Sequence, residues 1–252
     1  MPPTSLPPSV PQNAFDADNG VQAVLWDMDG TIVDTEPYWI AAEIELVQAH
    51  GGTWTERDAE RLVGQALPNS ARMLQDAGVA LEIREIIDIL TASVIEGVRG
   101  HVPWRPGARE LLEDLAANGV PCAMVTMSEG PLAGLVAEAL PEGTFRFLVT
   151  GDMVSKGKPD PEPYLLAMRT LEVDLPDLDP RRVVALEDSV PGVASAAASG
   201  ASTIAVPHIT PLPASDAWTV YPTLAGLTAS DLDEFVRALR QVPAGHTAGG
   251  AQ

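Results

Sequence analysis

The stretch Val21-Gln22-Ala23-Val24-Leu25-Trp26-Asp27-Met28-Asp29-Gly30-Thr31 is a short apolar run that ends in two aspartates separated by one residue. Ala23 to Trp26 has the length, valine content and flanking turn signal of a parallel-sheet strand buried on both faces, and Gly30 supplies the turn that follows. Asp27 therefore stands at the carboxyl end of a strand, where open α/β sheets bind their ligands. Two carboxylates this close repel unless a cation or a proton separates them. A hard divalent cation satisfies both. An isolated Asp-x-Asp-Gly can also begin a turn or cap a helix, so the remainder of the chain decides between the two readings.

The 252 residues carry 46% hydrophobic side chains and a mean hydropathy of +0.08, enough for a sizeable core in one large or two small domains. No apolar run approaches the ~20 residues of a membrane span, and the first twenty residues lack the basic start and apolar core of a signal peptide. A cytoplasmic location is expected. Cys122 is the single cysteine and lies in the apolar run from Val120 to Val125, which suits a buried thiol. The net charge of −20 argues against nucleic acid and anionic membrane as partners; a small phosphorylated substrate would need local positive charge, and a monomer is expected. Positive charge is scarce: no Lys or Arg precedes Arg57, and the only two lysines, Lys156 and Lys158, fall together in Ser155-Lys156-Gly157-Lys158-Pro159.

Residues 1–20 hold five prolines among the first eleven positions and no periodicity, and with 241–252 they read as disordered tails. Between 36 and 102 the pattern is helical throughout, with helices expected at Tyr38 to His50, Glu56 to Val63, Asn69 to Ala77 and Leu81 to Arg99. From 103 the pattern alternates. Helices at Ala108 to Asn118, Pro131 to Leu140, Pro161 to Leu171 and Val193 to Ser199 interleave with strands at Pro121 to Val125, Phe147 to Val149, Val183 to Leu186 and Thr203 to Val206. Such spacing gives βαβ units and a parallel sheet. The fold class is therefore α/β: a Rossmann-like doubly wound core over 21–35 and 103–240, interrupted after its first strand by an all-helical insert over 36–102.

Four acid, hydroxyl and lysine clusters fall at the ends of these strands. Thr126, in Val125-Thr126-Met127-Ser128, offers a hydroxyl and following N–H groups to a phosphate, although Thr126 or Ser128 could instead cap the next helix. Lys158 sits between Gly157 and Pro159 in a shaped loop, whereas a lone lysine is ordinarily a solvated surface charge. Glu187 and Asp188 end another apolar run, and oxygen-only ligands suit Mg²⁺ better than zinc or copper.

Asp27-Met28-Asp29-Gly30-Thr31-Ile32-Val33-Asp34-Thr35 resembles the first motif of the haloacid dehalogenase superfamily. The Thr126 segment, Gly157-Lys158-Pro159-Asp160-Pro161 and Leu186-Glu187-Asp188-Ser189-Val190-Pro191-Gly192 resemble its other three, in order. The resemblance spans about Val21 to Val206 and points to the β-phosphoglucomutase and sugar-phosphatase branch, in which the insert is a small helical cap. It implies that Asp27 is a nucleophile forming an aspartyl-phosphate and that Asp29 is general acid and then base. Thr126 and Lys158 would bind phosphate, and Mg²⁺ would be held by Asp27, the backbone carbonyl of Asp29 and, directly or through water, Asp188, with Glu187 in its outer shell. An aspartate at position 29 favours phosphoryl transfer over carbon–halogen cleavage.

The cap is less informative. Trp39, Trp54, Gln65, Asn69 and Arg72 are candidates to face substrate, and Leu62 to Leu67 resembles the family's selecting loop. The β-phosphoglucomutase group carries basic residues there, where this chain has Val63 and Leu67; Glu36-Pro37 instead resembles sugar-phosphate and nucleotide-type phosphatases. Glu36-Pro37 and Val102-Pro103 are candidate hinges. The leading expectation is a Mg²⁺-dependent phosphomonoester phosphatase. A phosphosugar mutase of the β-phosphoglucomutase type and a catalytically silent binding protein remain as alternatives.

Overall fold

The computed structural model describes residues 19–241, so the expected tails over 1–20 and 241–252 lie almost wholly outside the described residues. Six described strands form one parallel sheet in the order β3-β2-β1-β4-β5-β6. They are β1 (Ala23–Trp26), β2 (Cys122–Val125), β3 (Leu148–Val149), β4 (Val183–Glu187), β5 (Ser202–Ala205) and β6 (Trp218–Val220). Alternation along each strand divides the core. Val24, Trp26, Met124, Leu186 and Ile204 pack on one face with Leu111 and Leu115 of α5 (Ala108–Ala117) and with Leu232 and Val236 of α9 (Ala229–Gln241). Ala23, Leu25, Ala123, Val125 and Ala185 pack on the other with Tyr164, Ala167 and Met168 of α7 (Glu162–Leu171) and Ala196 of α8 (Val190–Ala198). Burying each of the larger side chains contributes about 1.5–3 kcal/mol.

Register sets the site. Trp26 lies opposite both Met124 and Leu186, and the Asp27 amide donates to the Leu186 carbonyl at 3.0 Å. The residues that follow β1, β2 and β4 therefore emerge at one edge. Because the strand order reverses between β1 and β4, that edge is a topological switch point, where such sheets leave a crevice.

All described helices between positions 36 and 100 lie between β1 and α5: α1 (Glu36–Ala49), α2 (Glu56–Ala59), α3 (Leu67–Asp76) and α4 (Ile83–Gly100). Pro37 in the first turn of α1 suits a helix start, where no intrahelical N–H bond is lost. Trp39, Leu46, Leu74, Ile86, Leu90 and Val94 join these helices to the same hydrophobic cluster as the first sheet face. The entering and leaving segments run side by side, with the Asp34 amide on the Pro103 carbonyl at 2.7 Å and the Arg105 amide on the Ile32 carbonyl at 2.9 Å. Arg84 of α4 also reaches Glu129, just before α6 (Gly130–Glu138), at 2.6 Å.

Two departures from the sequence expectations have local causes. The helix expected over Glu56 to Val63 stops at Ala59 despite a Thr55/Asp58 capping box. The chain turns instead through Gly64, whose φ of +73° and close approach to the Ser189 side chain leave no room for a Cβ. Two elements had no counterpart in the sequence reading: β6 is a three-residue edge strand behind a proline-interrupted loop, and α9 follows it. No described helix is long and apolar enough to cross a membrane.

Candidate active site

Asp27 emerges from β1 with only 6% of its surface exposed. Its Oδ1 accepts the Lys158 ammonium at 2.6 Å, whereas its Oδ2 is buried with no hydrogen-bond partner. Lys158 comes from the loop before α7 and also donates to the Val125 carbonyl at 2.9 Å and to Glu187 Oε1 at 2.5 Å. Burial opposes its charge, but Asp27 and Glu187 more than offset that and hold the ammonium above its usual range. Lys156, by contrast, is on the surface, 3.7 Å from Asp160. The structure thus brings Lys158, and not Lys156, to Asp27.

Glu187 is fully buried and saturated. Oε1 also accepts the Tyr164 hydroxyl at 2.9 Å, while Oε2 accepts the Asp188 and Ser189 amides at 3.1 and 3.3 Å and the Ser189 hydroxyl at 3.2 Å. Asp188 follows, and burial, then Asp27 and Glu187, push its carboxyl well above the ordinary value. Burial likewise pushes Asp27 up to about 8, with Glu187 adding and Lys158 opposing. Asp27, Glu187 and Asp188 offer carboxylate oxygens within 4.8 Å of one another, a set that could hold a metal ion. An unpartnered buried oxygen on Asp27, an all-oxygen donor set and carboxyls strained towards neutrality fit a hard divalent cation. Asp29's carboxylate stands outside this set. It accepts the Thr35 hydroxyl at 2.5 Å, the Ser128 hydroxyl at 2.7 Å, the Thr126 hydroxyl at 3.2 Å and the Trp39 indole at 3.4 Å. Thr126 therefore faces Asp29, and it also accepts the Ser128 amide at 3.0 Å.

Gly30 makes this packing possible. Its φ is +89°, and a Cβ there would collide with the Asp188 carboxylate. Gly30→Ala is expected to lose about 1–2 kcal/mol to the backbone alone and, by displacing Asp188, at least ~10-fold in kcat/KM. Gly51→Ala is the control, since φ is +78° there but nothing lies within 4 Å. Melting temperature and kcat/KM of the pair check this: equal activities would deny Asp188 its place.

The cleft above these residues is lined on its far side by Glu36, Trp39, Glu43, Leu62 to Gln65, Leu67, Ser70 and Leu90. Of the cap candidates, Trp39 and Gln65 face it. Trp54 stands behind, donating its indole N–H to Glu43 at 3.2 Å. Asn69 and Arg72 are exposed and bonded to each other at 3.0 Å, away from the cleft. Burial, then Asp29 and Glu43, push Glu36 up to about 8; burial pushes Glu43 to about 7, against the pull of Trp54. Sequence reasoning missed Tyr164, Ser189, Glu36 as a lining residue and Glu43. Glu43 had a signal: it is an acid on the inward face of α1, shared with Glu36, Trp39 and Leu46.

Residues 21–200 match the haloacid dehalogenase-like hydrolase family. The chain belongs to that family. Within it, a phosphorylated carbohydrates phosphatase of Thermotoga maritima is 32% identical over 185 residues, covering 71% of this chain and 82% of that protein. An N-acetylmuramic acid 6-phosphate phosphatase of Pseudomonas aeruginosa is 33% identical over 193 residues, covering 74% and 81%. Among solved structures, CbbY of Rhodobacter sphaeroides in complex with xylulose-(1,5)bisphosphate superposes with a TM-score of 0.74 at 27% identity, over 84% of this chain and 99% of that one. The six-stranded parallel sheet flanked by helices is the haloacid dehalogenase-like fold, and the sequence expectation of family and fold holds.

Proposed function

We propose that this hydrolase is a Mg²⁺-dependent phosphatase acting on a small phosphomonoester of the sugar-phosphate or nucleotide type through an aspartyl-phosphate on Asp27. The observation that carries this reading is the Asp27 carboxylate itself. One oxygen is fixed by Lys158 at 2.6 Å and the other is buried without a partner on a residue that lines the cleft. A preoriented carboxylate beside an ammonium suits attack on phosphorus, where negative charge must be neutralised.

Asp27 attacks phosphorus, the bond to the ester oxygen breaks, and Asp29 gives that oxygen its proton. Asp29, now a carboxylate, takes a proton from water attacking the aspartyl-phosphate; phosphate leaves, and both groups return to their starting forms. The hydroxyls of Thr35, Thr126 and Ser128 orient Asp29 for this exchange. Lys158 holds the phosphoryl oxygens, with Thr126 beside it. Asp27, Asp188 and the Asp29 backbone carbonyl would hold Mg²⁺, whose positive charge screens the phosphate from the surrounding acids. Glu187, saturated by its own donors, positions Lys158 and Asp188. The helices over 36–102 act as a cap that excludes water, with Glu36-Pro37 and Val102-Pro103 as its hinges.

Phosphate release is favoured over isomerisation because a mutase must grip a second phosphate. Among the described residues Lys158 is the one cation lining the cleft; Arg72 is not part of the lining and bonds Asn69. The relatives named as phosphatases of phosphorylated carbohydrates and of N-acetylmuramic acid 6-phosphate support the same reading. The test is a panel of phosphomonoesters followed by free phosphate, with Mg²⁺ and with EDTA. Chelation is expected to bring release to background and Mg²⁺ to restore it. Full activity after exhaustive chelation would remove the metal from this account, and no release from any ester would remove the phosphatase.

A further inference from the structure

The α1 side of the cleft has a chemistry of its own. Glu36 and Glu43 stand seven residues apart on one face of α1, with Trp39 between them, and both line the cleft while only 8% and 5% exposed. Burying a carboxylate is costly unless hydrogen bonds replace its water. Glu43 has one such bond, from the Trp54 indole at 3.2 Å to Oε2. Among the described residues Glu36 has none. The rest of this side is Leu62 to Gln65, Leu67, Leu90 and the Ser70 hydroxyl, with no cation among the described residues. Apolar side chains at 36 and 43 would serve packing better, so packing does not account for the two acids. A ligand that brings hydrogen-bond donors does.

Resting on the phosphatase reading above, we infer that Glu43, held by Trp54 and acting with Glu36, determines specificity by accepting hydrogen bonds from the leaving alcohol. The substrate is then the monophosphate of a compact alcohol rich in donors, whether hydroxyls or an ammonium, and one carrying a carboxylate or a second phosphate is rejected. Such a group meets no cation among the described residues on this side of the cleft, so its charge would be buried unpaired whether the two acids are ionised or neutral. Trp54 is a positioning residue: it does not line the cleft, and it acts by fixing one Glu43 oxygen so that the other faces inward.

Four matched esters test this: glucose 6-phosphate, glucosamine 6-phosphate, 6-phosphogluconate and fructose 1,6-bisphosphate. With the full chain and Mg²⁺, kcat/KM for the first two is expected to exceed that for the last two by at least ~10-fold. An advantage for glucosamine 6-phosphate over glucose 6-phosphate identifies the ammonium as the donor, and parity identifies the hydroxyls. Glu43→Gln, which keeps the shape and an acceptor for Trp54, is expected to shrink the neutral-to-anionic ratio several-fold. Trp54→Phe is expected to raise KM for the neutral ester more than it lowers kcat. If Glu43→Gln fails to fold, Glu36→Gln and the wild-type ratio carry the test. Equal use of neutral and anionic esters by the wild type overturns the inference alone, as does a ratio unmoved in both glutamine variants. Release from none of the four, nor from the wider panel, overturns the phosphatase reading and this inference with it.

Discussion

Asp27→Asn is expected to lower phosphate release by at least ~10⁴-fold, the scale on which losing a nucleophile collapses a catalytic group that acts as a unit. The carboxamide keeps the shape of the side chain and an oxygen for Lys158, now 2.6 Å away, but it does not form the acyl phosphate. The variant also removes one charge from a crowd of buried carboxylates, Asp27, Glu187 and Asp188. Its melting temperature is therefore expected to hold or rise, which separates lost chemistry from lost folding. Asp29→Asn contrasts with it: Asp27 still attacks esters whose leaving groups need no proton, so a residual route through the intermediate is expected there.

Lys158→Ala carries the second large effect, and it acts on both activity and stability. The ammonium is 3% exposed at its side chain and lies between Asp27 at 2.6 Å and Glu187 at 2.5 Å. Removing a preoriented charge that meets the developing phosphoryl charge costs roughly 3 kcal/mol of transition-state stabilisation. Breaking a buried ion pair by deleting one partner costs about 3–5 kcal/mol of folding stability, because the remaining carboxylates are left uncompensated. Lys156→Ala removes only an exposed charge 3.7 Å from Asp160, an interaction worth ~0–1 kcal/mol. Steady-state kcat/KM and thermal melts of the two variants check this. The reverse pattern would mean that the wrong lysine serves the site.

How far the sequence foretold this arrangement depends on the length over which each signal runs. β1 is found where the apolar run placed it, because a strand buried on both faces writes itself as unbroken hydrophobic residues. The loops carrying Asp27, Thr126 and Glu187-Asp188 were legible for a related reason, since each follows an apolar run that fixes where it emerges, and the Lys158 loop was legible from the helix start that Pro161 marks just after it. β6 was not, since three residues at a sheet edge, two of them exposed, carry no pattern. The α9 helix was legible in principle, because Thr228 and Asp231 form reciprocal side-chain to backbone bonds at 3.3 and 2.8 Å, a capping pattern readable from spacing.

Side-chain direction in the helical insert was the least legible part. Trp39, Trp54, Gln65, Asn69 and Arg72 were equivalent candidates until packing turned Asn69 and Arg72 outward and set Trp54 behind Glu43. The partners of Glu187 come from separate elements, Tyr164 from α7 and Ser189 from the loop before α8, and no spacing rule joins them. Family resemblance supplied the roles expected of Asp27, Asp29, Thr126, Lys158 and Asp188; the distances among them come from the fold alone.

The most direct test of the account is to catch the phosphoryl group on the chain. Enzyme mixed with excess ester and Mg²⁺ is quenched in acid within the first turnover and reduced with borohydride, which converts an aspartyl-phosphate to homoserine. No Lys or Arg precedes Arg57, so trypsin leaves Asp27, Asp29 and Asp34 on one long peptide, and fragmentation within it must locate the mark. The account predicts homoserine at position 27 alone, absent without ester and absent from Asp27→Asn. Homoserine at any other position, or phosphate release that continues in Asp27→Asn, would contradict it.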